Sequence, residues 1–453
     1  MYTPHTPRDI AQMLETVGVN SLDDLVRVPD AIALRERLDL VPALPEAGIV
    51  KRFEHFARKN VGASYISFLG GGSYRHYTPP AIASLAMRGE FLTSYTPYQA
   101  EVSQGYLQAI YEWQTYVCLL TGLDVANASV YDGATALAEA TIMSIHANGR
   151  KRALVSRAVN PNYRAVLQTY CDGLDVELDE IPVTANGTTD LAALQALVAE
   201  GTYACVALQS PNFFGNLDVP DAAAQSAIAA SGTVSIAVVA EAIALAVLAT
   251  PASWGAQIAV GEGQSFGVAT AYGGPYLGFM ATTKEHMRRI PGRLVGKTVD
   301  AGGNEAYVLT LQAREQHIRR ERATSNICTN QAHCALIATI YLALLGKSGL
   351  QDVASANLKR SRELAASVAS LQGCALEFDA PFFNEVVVNV GRPAGEVLDR
   401  LKGRGILGGI DLGRFYPEYA NCILMTATEL TSAGDIQALH AALNEVLDVP
   451  ARV

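Results

Sequence analysis

The chain has 453 residues, 50% of them apolar and 17% charged, enough to fill a large core and unlike a disordered protein. Its net charge of -10, from 34 basic and 44 acidic residues, disfavours nucleic-acid binding, which rests on neutralising phosphates. At roughly 150 residues per unit, the length allows two or three domains.

Seven cysteines (Cys118, Cys171, Cys205, Cys328, Cys334, Cys374 and Cys422) include no C-x-x-C pair. An odd number at wide gaps argues against a disulfide framework and a zinc site, and implies free thiols in a reducing, cytoplasmic setting. The first residues have no apolar run behind a basic region, so they do not read as a secretory signal. The most apolar stretch, 233–249, is too short for a membrane span and has Glu241 in its middle.

In chain order, Thr6 caps a first helix, with Pro7 in its first turn and Gly18 as its stop. Its apolar face is Ile10, Met13, Leu14 and Val17. Ser21 caps a second helix that Pro29 ends. Glycines and tyrosines predict a loop over 67–101. A long helix follows over 102–121, its stripe formed by Tyr106, Ile110, Trp113, Val117 and Leu120. Apolar runs at 153–159, 205–208, 234–239 and 276–280, with helices at 191–199 and 222–230 between several of them, predict a mostly parallel sheet buried on both faces. Arg319, Arg320 and Arg322, interleaved with Glu315 and Glu321, read as a solvated helix face, with an anion clamp as the other reading. Helices over 330–345 and 350–371 then lead to strands at 385–390, 406–411 and 422–425. The expected domains are a helical lead-in (1–65), a large α/β domain (66–329) and a smaller α+β domain (330–453).

Three stretches could carry chemistry. Asp132-Gly-Ala-Thr135 opens an alanine-rich helix and could receive an anion, or be no more than a cap and turn. Segments 70–77 and 93–101 hold Tyr74, Tyr77, Tyr95 and Tyr98 beside Arg75 and His76, suited to contacts or to filling gaps. Residues 258–267 leave a strand for a glycine-rich turn, the place where ligands bind at the carboxyl edge of a parallel sheet. An imine-forming enzyme would keep its lysine there. None of the eight lysines lies in this stretch; the nearest is Lys284, in a segment that reads as an exposed helix start.

Five phrases together resemble one family: Ser67-Phe-Leu-Gly-Gly-Gly-Ser-Tyr, Thr93-Ser-Tyr-Thr-Pro-Tyr-Gln-Ala-Glu-Val-Ser-Gln-Gly, Gln209-Ser-Pro-Asn-Phe-Phe-Gly, Val260-Gly-Glu-Gly-Gln-Ser-Phe-Gly and Arg322-Ala-Thr-Ser-Asn-Ile-Cys-Thr-Asn. The family is the α subunit (subunit 1) of the two-subunit glycine dehydrogenase (decarboxylating), the P-protein of the glycine cleavage system. The resemblance implies the aminotransferase-like fold of type I pyridoxal-phosphate enzymes. It also implies an α2β2 assembly whose β subunit holds the cofactor on a lysine, the two subunits together decarboxylating glycine and passing the aminomethyl group to the lipoyl arm of the H-protein. The family's lysine turn falls on Gly263-Gln264-Ser265-Phe266, so Gln264 takes the lysine's place. Loops that reach across to the partner's site would then include Tyr95, Thr96, Tyr98, Gln99 and Glu101, with Ser73, Tyr74 and Asn212 as weaker candidates towards the cofactor. Glu241 sits where a type I enzyme keeps an aspartate facing the pyridine nitrogen, either as a remnant of that role or as a helix-start carboxylate. The other readings are a scaffold subunit without a catalytic group, and an independent pyridoxal-phosphate enzyme.

Overall fold

A computed structural model describes residues 4–448 apart from 27, 30, 35, 37, 312–315, 324, 326, 328 and 329. Of the residues singled out above, Glu315, Thr324, Asn326, Cys328 and Thr329 lie outside the described residues. The chain divides into two units, Met1–Ala63 and Ser64–Val453.

In the first unit, α1 (Pro7–Val17) starts with a reciprocal cap between Thr6 and Asp9 and ends at Gly18, whose φ of 79° needs no Cβ. Among the described residues, the helix expected after Ser21 does not form. The Asp24 carboxylate instead accepts the N–H groups of Asn20 and Ser21, closing a single turn at Asp23–Leu25. The sequence reading missed α2 (Glu46–Arg58), whose N-terminal Pro45 offers no side-chain acceptor to announce it.

The second unit opens with β1 (Ile66–Ser67) and two short helices where only loop was expected, α3 (Pro80–Ala86) and α4 (Gly89–Leu92). Next come α5 (Gln104–Thr121), β2 (Val125–Ala126), α6 (Gly133–Asn148), β3 (Arg152–Ser156), α7 (Pro161–Leu174), β4 (Glu177–Ile181), α8 (Leu191–Val198), β5 (Tyr203–Gln209), α9 (Ala222–Ser231), β6 (Val234–Val239), β7 (Ile258–Glu262) and β8 (Gly278–Thr282). These strands form a seven-stranded sheet in the order β2-β8-β7-β6-β5-β3-β4. Neighbours from β7 to β4 are parallel, whereas β8 pairs antiparallel with both β7 and β2. The apolar run expected at 276–280 thus forms a strand two residues later, and it runs against its neighbours.

Beyond the sheet lie the hairpin β9 (Leu294–Val299) and β10 (Glu305–Thr310), the turn α10 (Gln316–Arg319) and α11 (Ala332–Ala369). Gly346, at φ 59° and ψ -170°, breaks α11 into the two helices that the sequence separates. The chain closes with β11 (Ala375–Leu376), β12 (Glu385–Asn389), α12 (Ala394–Lys402), β13 (Ile406–Leu407), β14 (Ile410–Asp411), β15 (Cys422–Thr426) and α13 (Ala433–Leu447). Strands β11-β12-β15-β14 make a second, antiparallel sheet, while β1 pairs in parallel with β13.

Alternate residues of the central strands enter different cores. Ile236, Val238, Ile258 and Val260 pack against α6 and α7. Ala237, Val239 and Ala259 face Trp113, Val117, Tyr341 and Leu342 of α5 and α11. Each fully buried Ile or Val contributes about 1.5–3 kcal/mol, so this two-sided burial fixes the strand ends that carry polar groups.

Candidate active site

The parallel strands β3, β5, β6 and β7 deliver Asn160, Gln209, Glu241 and Gln264 to one carboxyl edge. Gln209 Oε1 accepts the Asn160 N–H (2.8 Å), and Asn160 Nδ2 donates to the carbonyl of Gly71 (2.9 Å). The glycine-rich segment 70–77 is thereby drawn across the edge. A Cβ at Gly70 would fall on Thr426 Oγ1, and Gly71 has a φ of 73°, so glycine is required for this close approach.

Gln264 is 3% exposed, and both ends of its amide are engaged. Oε1 accepts the Tyr74 N–H (2.9 Å), while Nε2 donates to the carbonyls of Tyr74 (3.0 Å) and Val268 (2.7 Å). The Tyr74 hydroxyl donates to Glu385 Oε2 (2.8 Å), and Ser73 Oγ meets the Tyr276 hydroxyl at 2.5 Å. Glu385, on β12, also accepts the Gly71 N–H (2.7 Å) and the Thr426 hydroxyl (2.8 Å). Burial raises its carboxyl to about 7 against these donors, and burial with the Glu385 charge pushes the Tyr74 phenol well above its ordinary range.

His76 lies between two carboxylates. Its Nε2 is 3.0 Å from Glu241 Oε2 and its Nδ1 is 2.8 Å from Glu429 Oε2, with the His76 side chain 2% exposed. Burial alone would lower the imidazole pKa; the charges and hydrogen bonds of Glu241 and Glu429 override it and raise it to about 10. Glu429 is held below its ordinary value because His76 outweighs its burial. Asn357 and Asn384 each donate to one of these carboxylates, and the Tyr77 N–H donates to Glu429. Glu241 also accepts the Ile243 N–H (3.0 Å), so it is a turn-capping carboxylate as well as an ion-pair partner.

The start of α6 meets two carboxyl groups of the chain itself. Asp132 accepts the Thr135 N–H (2.7 Å), and Glu262 Oε2 accepts the Gly133 N–H (3.0 Å). Glu262 Oε1 takes the N–H groups of Gln264 (3.0 Å) and Leu277 (2.7 Å). Burial nevertheless raises the Glu262 carboxyl to about 7. A Cβ on Gly133 would fall on the Tyr163 hydroxyl, so that ring packs directly on the helix start.

The family model described as the glycine cleavage system P-protein matches residues 1–443. The chain belongs to the P-protein family. It is 48% identical over 447 residues to the probable glycine dehydrogenase (decarboxylating) subunit 1 of Brevibacillus brevis, covering 98% of both chains. Identity is also 48% to the subunit of the same name from Moorella thermoacetica, covering 98% of this chain and 99% of that one. A solved glycine decarboxylase (P-protein) of the glycine cleavage system, in inhibitor-bound form, superposes with a TM-score of 0.90 at 42% identity, covering 98% of this chain and 100% of that one. Glutamate decarboxylase of Lactobacillus brevis (TM-score 0.67, 12% identity, covering 95% of this chain and 98% of that one) shares the fold alone. The fold is the type I fold of pyridoxal-phosphate enzymes, as the sequence leads one to expect.

In this P-protein chain Ser73, Tyr74 and Gln264 come together at the edge. Asn212 lies apart from them with its side chain fully engaged: Nδ2 donates to Gly187 and Asp218, and Oδ1 accepts from Phe214 and Asn216. Tyr95 (79% exposed), Thr96, Tyr98, Gln99 and Glu101 lie on the segment between α4 and α5, where all but Thr96 are exposed. An Arg293 N–H donates to the Tyr98 hydroxyl (3.1 Å), and its guanidinium lies 5.4 Å from the ring centre. Sequence reasoning missed the roles of Glu262, Glu385 and Glu429. A signal was present for two of them, since Glu262 and Glu385 are charges bounding strands whose apolar residues are all buried.

Proposed function

We propose that this chain is a subunit of a glycine decarboxylase whose pyridoxal phosphate is held covalently by a partner β subunit, in an α2β2 assembly. The pair decarboxylates glycine and hands the aminomethyl group to the lipoyl arm of the H-protein, in the cytoplasm. The observation that carries this reading is Gln264. It occupies the strand-to-turn position of an imine-forming lysine, and both ends of its amide are bonded within the chain. An amide nitrogen forms no imine, and the N–H groups of Gly133 and Thr135 are already taken by carboxylates. The residues present at this edge do not fit the cofactor.

The chain's contribution to the reaction then comes from its surface. We assign Tyr95, Thr96, Tyr98, Gln99 and Glu101 to reaching across to the partner's site. Ser73, Tyr74, Asn212 and Gln264, whose polar atoms are engaged internally, hold this chain's own fold. Residues 1–65, 66–329 and 330–453 serve as lead-in, large domain and small domain. The decisive assay is glycine-dependent CO2 release by this chain alone, by the partner alone and by the two together. Release only from the pair supports the reading. Undiminished release from the partner alone leaves this chain a scaffold, and a pyridoxal-phosphate activity of this chain alone sinks the proposal.

A further inference from the structure

The carboxyl-edge cleft of this chain is filled by the chain itself, and what fills it is specific. Segment 70–77 bonds the position that would hold a lysine (Gln264) and the carboxylate after β6 (Glu241). It also bonds the buried carboxylate of β12 (Glu385) and, through Thr428 Oγ1 donating to the Arg75 carbonyl (2.8 Å), the loop beyond β15. It therefore ties the large sheet to the small one. At the other end of the cleft Glu262 accepts three backbone N–H groups, one of them from the first residue of α6.

We propose that segment 73–76 and the Glu262 carboxylate form a built-in plug, the carboxylate standing where an incoming phosphate would seek the α6 N–H groups, so that a lysine at position 264 does not suffice to give this chain a cofactor. The inference rests on the reading that the partner carries the cofactor and goes beyond it. The cleft is a joint of the fold, closed by bonds that all have to be given up before a planar ligand could enter.

The physical case has two parts. A phosphate carries about -1.5 to -2 charges near neutral pH and binds where N–H donors are free. Here Gly133 donates to Glu262 and Thr135 to Asp132, so an arriving anion meets a shortage of donors and, at Asp132, like charge. The Tyr74 and His76 side chains are themselves bonded to Glu385 and Glu241, so neither is free to move aside. Removing His76 leaves Glu241 and Glu429 without the cation that lies between them.

The test uses Gln264→Lys in the full chain, incubated with pyridoxal phosphate, reduced with borohydride and weighed intact, beside the wild type. No pyridoxyl group at position 264 of the variant, located by peptide mapping against the scattered labelling of exposed lysines on both chains, is the expected result. Stoichiometric labelling at position 264, with only scattered label on the wild type, overturns the plug while leaving the partner reading intact. Stoichiometric labelling of a single lysine of the wild type overturns both. Because the variant could misfold, hydrogen exchange of the wild-type chain supplies an independent arm. The amide hydrogens of Gly71, Tyr74 and Gly133 are expected in the slow class with those of β6, unchanged by added inorganic phosphate or pyridoxal phosphate. Fast, loop-like exchange that either addition slows would overturn the plug.

Discussion

Replacing His76 by asparagine removes the cation that separates Glu241 from Glu429, and its cost follows from the site's geometry. The imidazole pKa rises from 6.5 to about 10, and each unit is about 1.4 kcal/mol, so the ion triad is worth at most about 5 kcal/mol. The lowered Glu429 is the same coupling seen from the other partner and is not added again. Solvent and structural relaxation bring the expected loss to about 3–5 kcal/mol at neutral pH. The sign is fixed by linkage. Because the folded pKa lies above the unfolded one, the contribution is fully present below pH 6.5 and is lost as pH rises through 10. Urea denaturation followed by circular dichroism at intervals from pH 6 to 10 should show the wild type losing stability along this limb. His76→Asn should start lower and show a flatter limb. Equal pH slopes for the two proteins would refute the ion-triad account, whatever the absolute stabilities.

Other consequences can be measured in the same way. Glu262, raised from 4.5 to about 7, contributes stability below pH 4.5 that is lost as pH rises through 7. Glu262→Gln should flatten that window by about 3 kcal/mol, and an unchanged acid-to-neutral slope would mean that this carboxyl ionises freely. Gly346 sits at φ 59° and ψ -170°, a conformation that is essentially glycine's alone, so Gly346→Ala should cost about 1–3 kcal/mol in a denaturation midpoint. A midpoint equal to the wild type's would show that the α11 break does not need glycine. Joint replacement of Tyr95 and Tyr98 by phenylalanine should slow glycine decarboxylation about tenfold without dissociating the subunits, as expected for lost hydroxyl contacts. Unchanged turnover would favour the scaffold reading.

The central sheet was legible because its strands are buried on both faces, so that 205–208 and 234–239 read as unbroken apolar runs. β4 escaped because Glu177-Leu-Asp-Glu-Ile is an edge strand with partly exposed polar positions and carries no such run. The gap between the helices of α11 showed in the sequence as Gly346 and the glycine that follows at 349. By contrast, Ser21 gave a true local cap signal and Leu22, Leu25 and Val26 follow it at helical spacing, yet these side chains stay exposed and only one turn formed. At the candidate site, the missing lysine could be read from one stretch of the chain. The closing of the cleft could not, because Tyr74 meets Gln264 across 190 residues and Glu385 across 311. Pairings at that separation are set by the packing of the two sheets and leave no local pattern.

The most direct test of the account is borohydride reduction of the purified two-subunit complex, followed by intact mass measurement of each chain. A pyridoxyl group on the partner alone, with this chain at its unmodified mass, is the result predicted by the amide at position 264. A pyridoxyl group on any lysine of this chain would contradict it.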